Sequence, residues 1–155
     1  MSNEQPATDD RPVSVVTGAN SGIGRATAIH LAKQGHRAIG TVRSIDKAEK
    51  LQTMAAAADV SVELFELDVA DDESVRAGFD EILAVAGRVD HLINNAGVGG
   101  NAVTEECPPE LYLSVMNVNL CGAVRCIQAV LPPVSYTHLR AHETRSVIAY
   151  AVFCL

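Results

Sequence analysis

Short apolar runs alternate with longer segments of helical periodicity from Val13 onward. The β-branched run at 13–17 predicts a buried strand, and the following segment predicts a helix over 22–34 that Gly35 ends. Further strands are predicted at 37–42, 60–67 and 89–93. The chain therefore begins as a strand–helix alternation.

Three further helices follow from the same pattern. Asp46 is expected to cap a helix that runs into "MAAAAD", Asp71 begins a helix that Gly87 ends, and the Pro108-Pro109 pair opens a long helix. The last two carry apolar stripes, at Val75, Phe79, Ile82, Leu83 and Ala86 and at Leu111, Val115, Val118, Gly122, Cys126 and Ala129.

Alternating strands and helices, with strands that are apolar almost throughout, indicate a parallel sheet covered by helices on both faces. The fold class expected is therefore α/β, a doubly wound parallel sheet. In such sheets ligands bind beyond the carboxyl ends of the strands. Two glycine clusters follow the first and fourth predicted strands, which predicts a binding site at that edge.

Composition narrows the class of protein. The 155 residues suffice for one domain, and a net charge of −7 argues against a nucleic-acid-binding surface. No apolar run approaches the ~18 residues of a membrane span. Residues 1–11 are polar and acidic, so they predict a disordered tail and no secretory signal. Four cysteines without paired spacing favour reduced thiols and a cytoplasmic location.

The stretch "TGANSGIG", residues 17–24, carries the most specific chemistry. Gly18 permits a tight turn, Gly22 lets backbone approach a diphosphate, and Gly24 lets helix and strand pack closely. The helix start supplies free N–H donors for an anion. A P-loop is excluded because no Lys-Ser or Lys-Thr pair follows the glycines. The other candidate cofactor-binding positions of this turn are Asn20, Ser21 and Ile23.

The second predicted strand ends in "GTVRS", where dinucleotide-binding folds often carry an acid for the ribose hydroxyls. Arg43 stands there instead, and a guanidinium can pair with a 2′-phosphate that a carboxylate would repel. We therefore expect NADP(H), with NAD(H) as second choice. Arg25 is positioned to assist, whereas Asp46 lies too far past the strand to replace the acid. The alternative is that Arg43 is only a solvated surface charge.

Four segments in order resemble the short-chain dehydrogenase/reductase family: "TGANSGIG" (17–24), "LDV" (67–69), "NNAG" (94–97) and "NVNLCG" (117–122). The resemblance covers about residues 12–132. It implies a Rossmann-type fold with strand order 3-2-1-4, truncated after the fourth strand and long helix. It also implies hydride transfer between a nicotinamide cofactor and a carbonyl or alcohol.

The resemblance also implies roles for individual residues. Asp68 would accept a hydrogen bond from the adenine amine, and the Val69 N–H would meet the ring. Asn119 would interrupt the long helix and hold a water of the proton relay. The alternatives are a turn or cap role for Asp68 and a structural hydrogen bond for Asn119. The segment expected under the cofactor ribose, which would also make a good turn, is Asn95, Ala96 and Gly97.

The catalytic serine and Tyr-x-x-x-Lys of that family are missing from the sequence. Tyr136 follows Asn119 by only 17 residues, without an intervening strand. Arg140 takes the lysine position and holds its proton, and Ser135 is adjacent to the tyrosine rather than well before it. This chain is therefore expected to be catalytically incompetent although its family is enzymatic. The alternative function is a non-catalytic dinucleotide-binding sensor or regulatory protein.

Residues 134–155 raise a separate question. The stretch "VSYTHLRAHET" resembles the translation of a sequencing-library adapter, and "IAYAVFCL" resembles its remainder. We therefore expect 12–133 to be a partial dinucleotide-binding domain and 134–155 to be a non-native tail; a divergent natural terminus is the alternative.

His138 and His142 are one helical turn apart, but two ligands without a third do not make a zinc site, so no metal is expected.

The family resemblance and the composition also predict the binding partners of the protein. The expected partner is a small carbonyl or alcohol substrate, with neither nucleic acid nor membrane, and the full-length parent is expected to be a homo-oligomer. The fourth strand would end the sheet unpaired and the long helix would expose apolar surface. Poor solubility and weak cofactor affinity are therefore expected of the isolated chain.

Overall fold

The computed structural model describes residues 9–99 and 105–134, with side chains to residue 131. Four strands and five α-helices alternate along this part of the chain. They are β1 (Val13–Val16), α1 (Gly22–Lys33), β2 (Arg37–Val42), a 3₁₀ turn (Ile45–Lys47), α2 (Glu49–Ala57), β3 (Glu63–Glu66), α3 (Asp72–Ala86), β4 (His91–Ile93), α4 (Pro109–Met116), a π-helical turn (Asn117–Cys121) and α5 (Gly122–Val134).

The strands form one parallel sheet in the order β3-β2-β1-β4. Val15 of β1 pairs with Ile39 of β2 on one side and with Leu92 of β4 on the other. This confirms the α/β fold class, and it confirms the strand order that the family resemblance implies. The carboxyl ends of all four strands lie at the same edge of the sheet.

Side chains on the two faces of the sheet enter separate cores. Val13 and Val15 pack in one core with Phe79 of α3. Val16 packs in the other core against α1 and α2, including Leu51. All five side chains are at most 2% exposed. Burial on both faces explains why β1 places valines on both faces of the sheet.

Helix α3 begins and ends as its sequence predicts. The Ser74 N–H donates to Asp71 Oδ1 over 2.7 Å, which satisfies one of the free donors at the helix start. Gly87 ends the helix with φ 74°, a left-handed conformation that glycine adopts without steric cost.

The expectation that Asp46 caps a helix is wrong. Asp46 lies exposed inside the 3₁₀ turn, and α2 begins at Glu49 after Ala48. Ala48 is fully buried, and the Ile45 N–H donates to Glu66 Oε1 over 3.1 Å. These two tertiary contacts hold the chain in a turn before the helix starts.

Strand β3 is shorter than the predicted 60–67. The Val60 N–H donates to the Ala55 carbonyl at the end of α2, and Asp59 takes a φ of 56°. Because these residues complete the end of α2, pairing with β2 begins only at Glu63.

The long predicted helix is divided by the π-helical turn, the interruption that the family resemblance implies. Among the described residues, one helical run, Pro109–Leu131, has the length and apolar composition of a membrane span. The expectation that no segment approaches the length of a membrane span is therefore wrong by length and composition, which core helices of soluble proteins also meet.

Candidate functional site

Thr17 joins the carboxyl ends of β1 and β4. Its Oγ1 accepts hydrogen bonds from the N–H groups of Asn95 and Ala96, both at 3.0 Å, and donates to the Ile93 carbonyl at 3.4 Å. One hydroxyl thus uses its donor and both acceptor positions. Sequence reasoning missed this role of Thr17; its place directly before Gly18 is the only local signal.

Asn95 fixes the glycine-rich turn from the other side. Its Nδ2 donates to the carbonyls of Thr17, at 2.9 Å, and Gly18, at 3.2 Å. A Cβ at Gly24 would lie 2.2 Å from this Nδ2 and 2.6 Å from the Gly18 carbonyl. Gly18 has φ 66°, and a Cβ there would lie 2.8 Å from the Cα of Ala96. Helix α1, the turn and the "NNAG" segment are therefore in close contact, as expected for Gly24.

The start of α1 is suited to an anion. Gly22 has φ 53°, and a Cβ added to it would meet no described atom within 4 Å. Ser21 makes no capping hydrogen bond with its side chain, and the first turn of α1 carries no acid. The first N–H groups of a helix have no acceptor within the helix and carry a partial positive charge, and no acid of this turn opposes an anion there. Ile23 beside them is 80% exposed.

The two arginines near this turn differ in position. Arg43 is exposed directly after β2, next to the buried Val42. Arg25 is half-buried, and its Nη1 donates to the Asn20 carbonyl over 3.2 Å. Arg25 therefore braces the glycine-rich turn, while Arg43 lies at the strand end where a 2′-phosphate is expected.

Asp68 follows β3 and is half-buried. Its Oδ1 accepts from the Ala70 N–H at 2.9 Å, and its own N–H donates to Ser74 Oγ at 2.9 Å. These bonds belong to the turn that leads into α3, with Val69 buried beside it. A carboxylate has acceptor positions beyond this single bond, so the turn role leaves it able to accept from a ligand.

Asn119 lies in the π-helical turn and holds the segment that follows β4. Its Oδ1 accepts from the Val98 N–H at 2.8 Å, and its Nδ2 donates to the Val98 carbonyl at 2.9 Å. A Cβ at Gly97 would lie 3.3 Å from the same Oδ1. The structural hydrogen bond considered for Asn119 is therefore present. π-Helical turns are rare, and they are frequent at functional sites.

Two residues without a sequence-based role, one at the start of this turn and one in α5, complete its contacts. Asn117 and Arg125 bond to each other and to the segment after β3. Asn117 lies within the family segment at 117–122, but the sequence did not predict these contacts, because the partners after β3 lie about 50 residues away in the chain.

Within residues 9–99 and 105–134, no three His, Cys, Asp or Glu side chains lie close enough to hold a metal ion. Ser135, Tyr136, His138, Arg140 and His142 all lie outside the described residues.

The fold and this site define a Rossmann-type nucleotide-binding domain. Residues 12–145 match the short chain dehydrogenase family, and the chain belongs to that family.

Three similar proteins bear on the function. An uncharacterized oxidoreductase of Myxococcus xanthus is 37% identical over 119 residues, which are 77% of this chain and 47% of that protein. A structure of an actinorhodin polyketide ketoreductase variant with NADPH has a TM-score of 0.75 at 35% identity, covering 82% of this chain and 49% of the other. The alcohol dehydrogenase of Thermococcus sibiricus complexed with 5-hydroxy-NADP has a TM-score of 0.74 at 35% identity, covering 83% and 55%. The chain thus spans about half the length of these relatives.

Proposed function

We propose that this chain is the cofactor-binding part of an NADP(H)-dependent oxidoreductase that acts on a small carbonyl or alcohol substrate. The observation that carries the proposal is the turn at Gly22. A Cβ added to Gly22 would meet no described atom within 4 Å, Ser21 makes no side-chain capping bond, and the first N–H groups of α1 have no acceptors within the helix. A diphosphate fits such donors, and burial under a ligand would also cover the exposed Ile23.

Arg43 supports NADP(H) over NAD(H). No acid stands at the end of β2, and Arg43 is exposed there. Its guanidinium would pair with the 2′-phosphate. Arg25 would assist cofactor binding only indirectly, by holding the glycine-rich turn, because its Nη1 donates to the Asn20 carbonyl within that turn. The ketoreductase and the alcohol dehydrogenase with bound NADPH and 5-hydroxy-NADP support the same choice.

Asp68 and Val69 would contact the adenine, and Asn95, Ala96 and Gly97 would line the ribose. The cofactor, when bound, supplies or accepts the hydride. Asn119 keeps the Val98 backbone in place with one N–H and one oxygen lone pair of its amide. A second N–H and a second lone pair of that amide remain for a water of the proton relay.

The 155 residues by themselves are proposed not to turn over substrate, because they contain no Tyr-x-x-x-Lys. A cytoplasmic location and a homo-oligomeric parent remain parts of this proposal. The alternative is a non-catalytic sensor of the dinucleotide, which the same binding site would serve. We expect the chain to bind NADP⁺ but not to oxidise NADPH when it is assayed with a panel of aldehydes and ketones.

Cofactor choice is tested with the Arg43→Ala variant, and Lys47→Ala in the neighbouring 3₁₀ turn is the matched control. Chemical shift titrations with NADP⁺ and NAD⁺ measure affinities even when they are weak. Loss of one charge-assisted phosphate contact should weaken NADP⁺ binding about tenfold and leave NAD⁺ binding unchanged. Equal binding of both nucleotides by the unaltered chain would refute the assignment of NADP(H).

Residues 134–155 are proposed to be foreign to the gene. The family match runs to residue 145 and therefore twelve residues into this segment, so the test belongs on the coding DNA. Codons that match a sequencing adapter would support the proposal. Codons that continue unchanged in independent genomic reads would refute it.

A further inference from the structure

Arg125 of α5 binds two distant segments of the chain. Its Nη1 donates to the main-chain carbonyls of Val69, at 3.2 Å, and Asn117, at 3.1 Å, and its Nη2 donates to Asn117 Oδ1 at 2.8 Å. Its Nε donates to Asp72 at the start of α3. The side chain is only 19% exposed. A single guanidinium therefore connects the segment after β3 to the π-helical turn.

Asn117 completes the connection. Its Nδ2 donates to the Ala70 carbonyl over 3.1 Å, while its Oδ1 is held by Arg125. Close backbone contact adds to these bonds, because a Cβ at Gly122 would lie 2.9 Å from the Val69 side chain and 3.0 Å from its carbonyl oxygen. The loop that starts at Asp68 therefore rests directly on the π-helical turn.

The two connected segments carry different parts of the proposed binding site. Asp68 and Val69 are the expected adenine contacts, and the π-helical turn presents Asn119, which holds the backbone of Val98. We propose that Arg125, with Asn117, is a positioning residue that sets the spacing between the adenine-binding loop and the turn that carries Asn119. The inference rests on the proposed dinucleotide-binding function.

A guanidinium suits this task and an ammonium does not. The acceptors of Arg125 lie on Val69, Asp72 and Asn117, which surround the planar group on several sides. Arginine presents five N–H donors in a fixed fork, whereas lysine carries three donors on one atom. Arg125→Lys therefore keeps the charge but cannot hold both segments.

The test compares the 155-residue chain with its Arg125→Lys variant by amide hydrogen exchange. Loosening of the π-helical turn should raise the exchange rate of the Val98 amide about tenfold, because that N–H is protected by Asn119 rather than by Arg125 itself. The amide of Val15 in β1 should change less than about twofold. Arg76→Lys is the matched control, since Arg76 is 71% exposed and pairs only with Glu73 among the described residues.

Titration with NADP⁺ gives the second measurement. Arg125→Lys should raise the dissociation constant at least about threefold, with smaller shift changes at Asp68 and Val69, and Arg76→Lys should not. An unchanged Val98 amide, or equal acceleration at Val98 and Val15, would overturn the positioning role. If the unaltered chain does not bind NADP⁺, the proposed function is refuted. The hydrogen-exchange rates of Val98 and Val15 still decide whether Arg125 couples the two segments.

Discussion

Replacement of Gly24 by alanine tests how closely helix α1 packs against Asn95 and the glycine-rich turn. In an ordinary helix position this change stabilises a protein, because alanine is favoured over glycine by about 1 kcal/mol. In α1 the new Cβ would lie 2.2 Å from Asn95 Nδ2 and 2.6 Å from the Gly18 carbonyl. The sign of the change in the free energy of unfolding therefore separates helix propensity from tertiary packing.

The expected loss follows from the displaced contacts. If Asn95 moves away, its two hydrogen bonds to Thr17 and Gly18 are broken, at a net cost of about 1 kcal/mol each. Residual overpacking adds about 1 to 3 kcal/mol. After the gain in helix propensity is deducted, we expect Gly24→Ala to lower the free energy of unfolding by about 2 to 4 kcal/mol.

Urea unfolding at 25 °C measures this quantity. The midpoint should fall by about 1 to 2 M with an unchanged slope. Ala26→Gly is the control, because Ala26 is an exposed residue of the same helix and should lose only the helix propensity of about 1 kcal/mol. A Gly24→Ala variant as stable as the parent chain would refute the packing argument, since Asn95 would then have room to move without loss.

Three further results are expected. Burial raises the pKa of Cys126 to about 12, so iodoacetamide at pH 8 should modify the exposed Cys121 and leave Cys126 unmodified in peptide maps of the native protein; equal labelling would contradict this. Burial raises the pKa of Asp90, but a hydrogen bond from the Val13 N–H and the guanidinium of Arg88 outweigh burial and hold this pKa below its usual 3.8. The carboxylate therefore stabilises the fold above that pH and loses this contribution as the pH falls further, so Asp90→Asn should flatten the stability profile below about pH 4 in urea titrations; an unaltered profile would contradict it. Leu113 is 70% exposed on α4, and Leu113→Glu should weaken self-association of the chain about tenfold by sedimentation, whereas an unchanged mass distribution would exclude this face.

Much of the fold follows from local pattern. Helix α3 was predictable at both ends because its capping interactions lie within a few residues, at Asp71 and Gly87. The prediction for Asp46 failed because a distant side chain, Glu66, binds the turn and because Ala48 is drawn into the core. Boundaries that depend on tertiary contacts carry no signal in the local sequence.

The residues of the site also fall into those with a local sequence signal and those without one. The glycines of the turn were predictable because their backbone requirements leave a local pattern, and Asn119 was found through the family resemblance. The hydroxyl of Thr17 and the guanidinium of Arg125 were not, because their partners lie up to 79 and 56 residues away. A threonine before a glycine and an arginine in a helix are ordinary residues until the fold brings their acceptors together.

The order of the strands has a consequence for how the protein is made. Strand β1 lies in the middle of the described sheet, yet its two neighbours are unequally distant: Ser14 pairs with Ala38 on one side and with His91, 77 residues along the chain, on the other. A ribosome adding 5 to 20 residues per second needs roughly 3 to 10 s to synthesise the stretch between β2 and the end of β4. If β1 and β2 pair before β4 is synthesised, the side of β1 that β4 later covers is exposed during that interval.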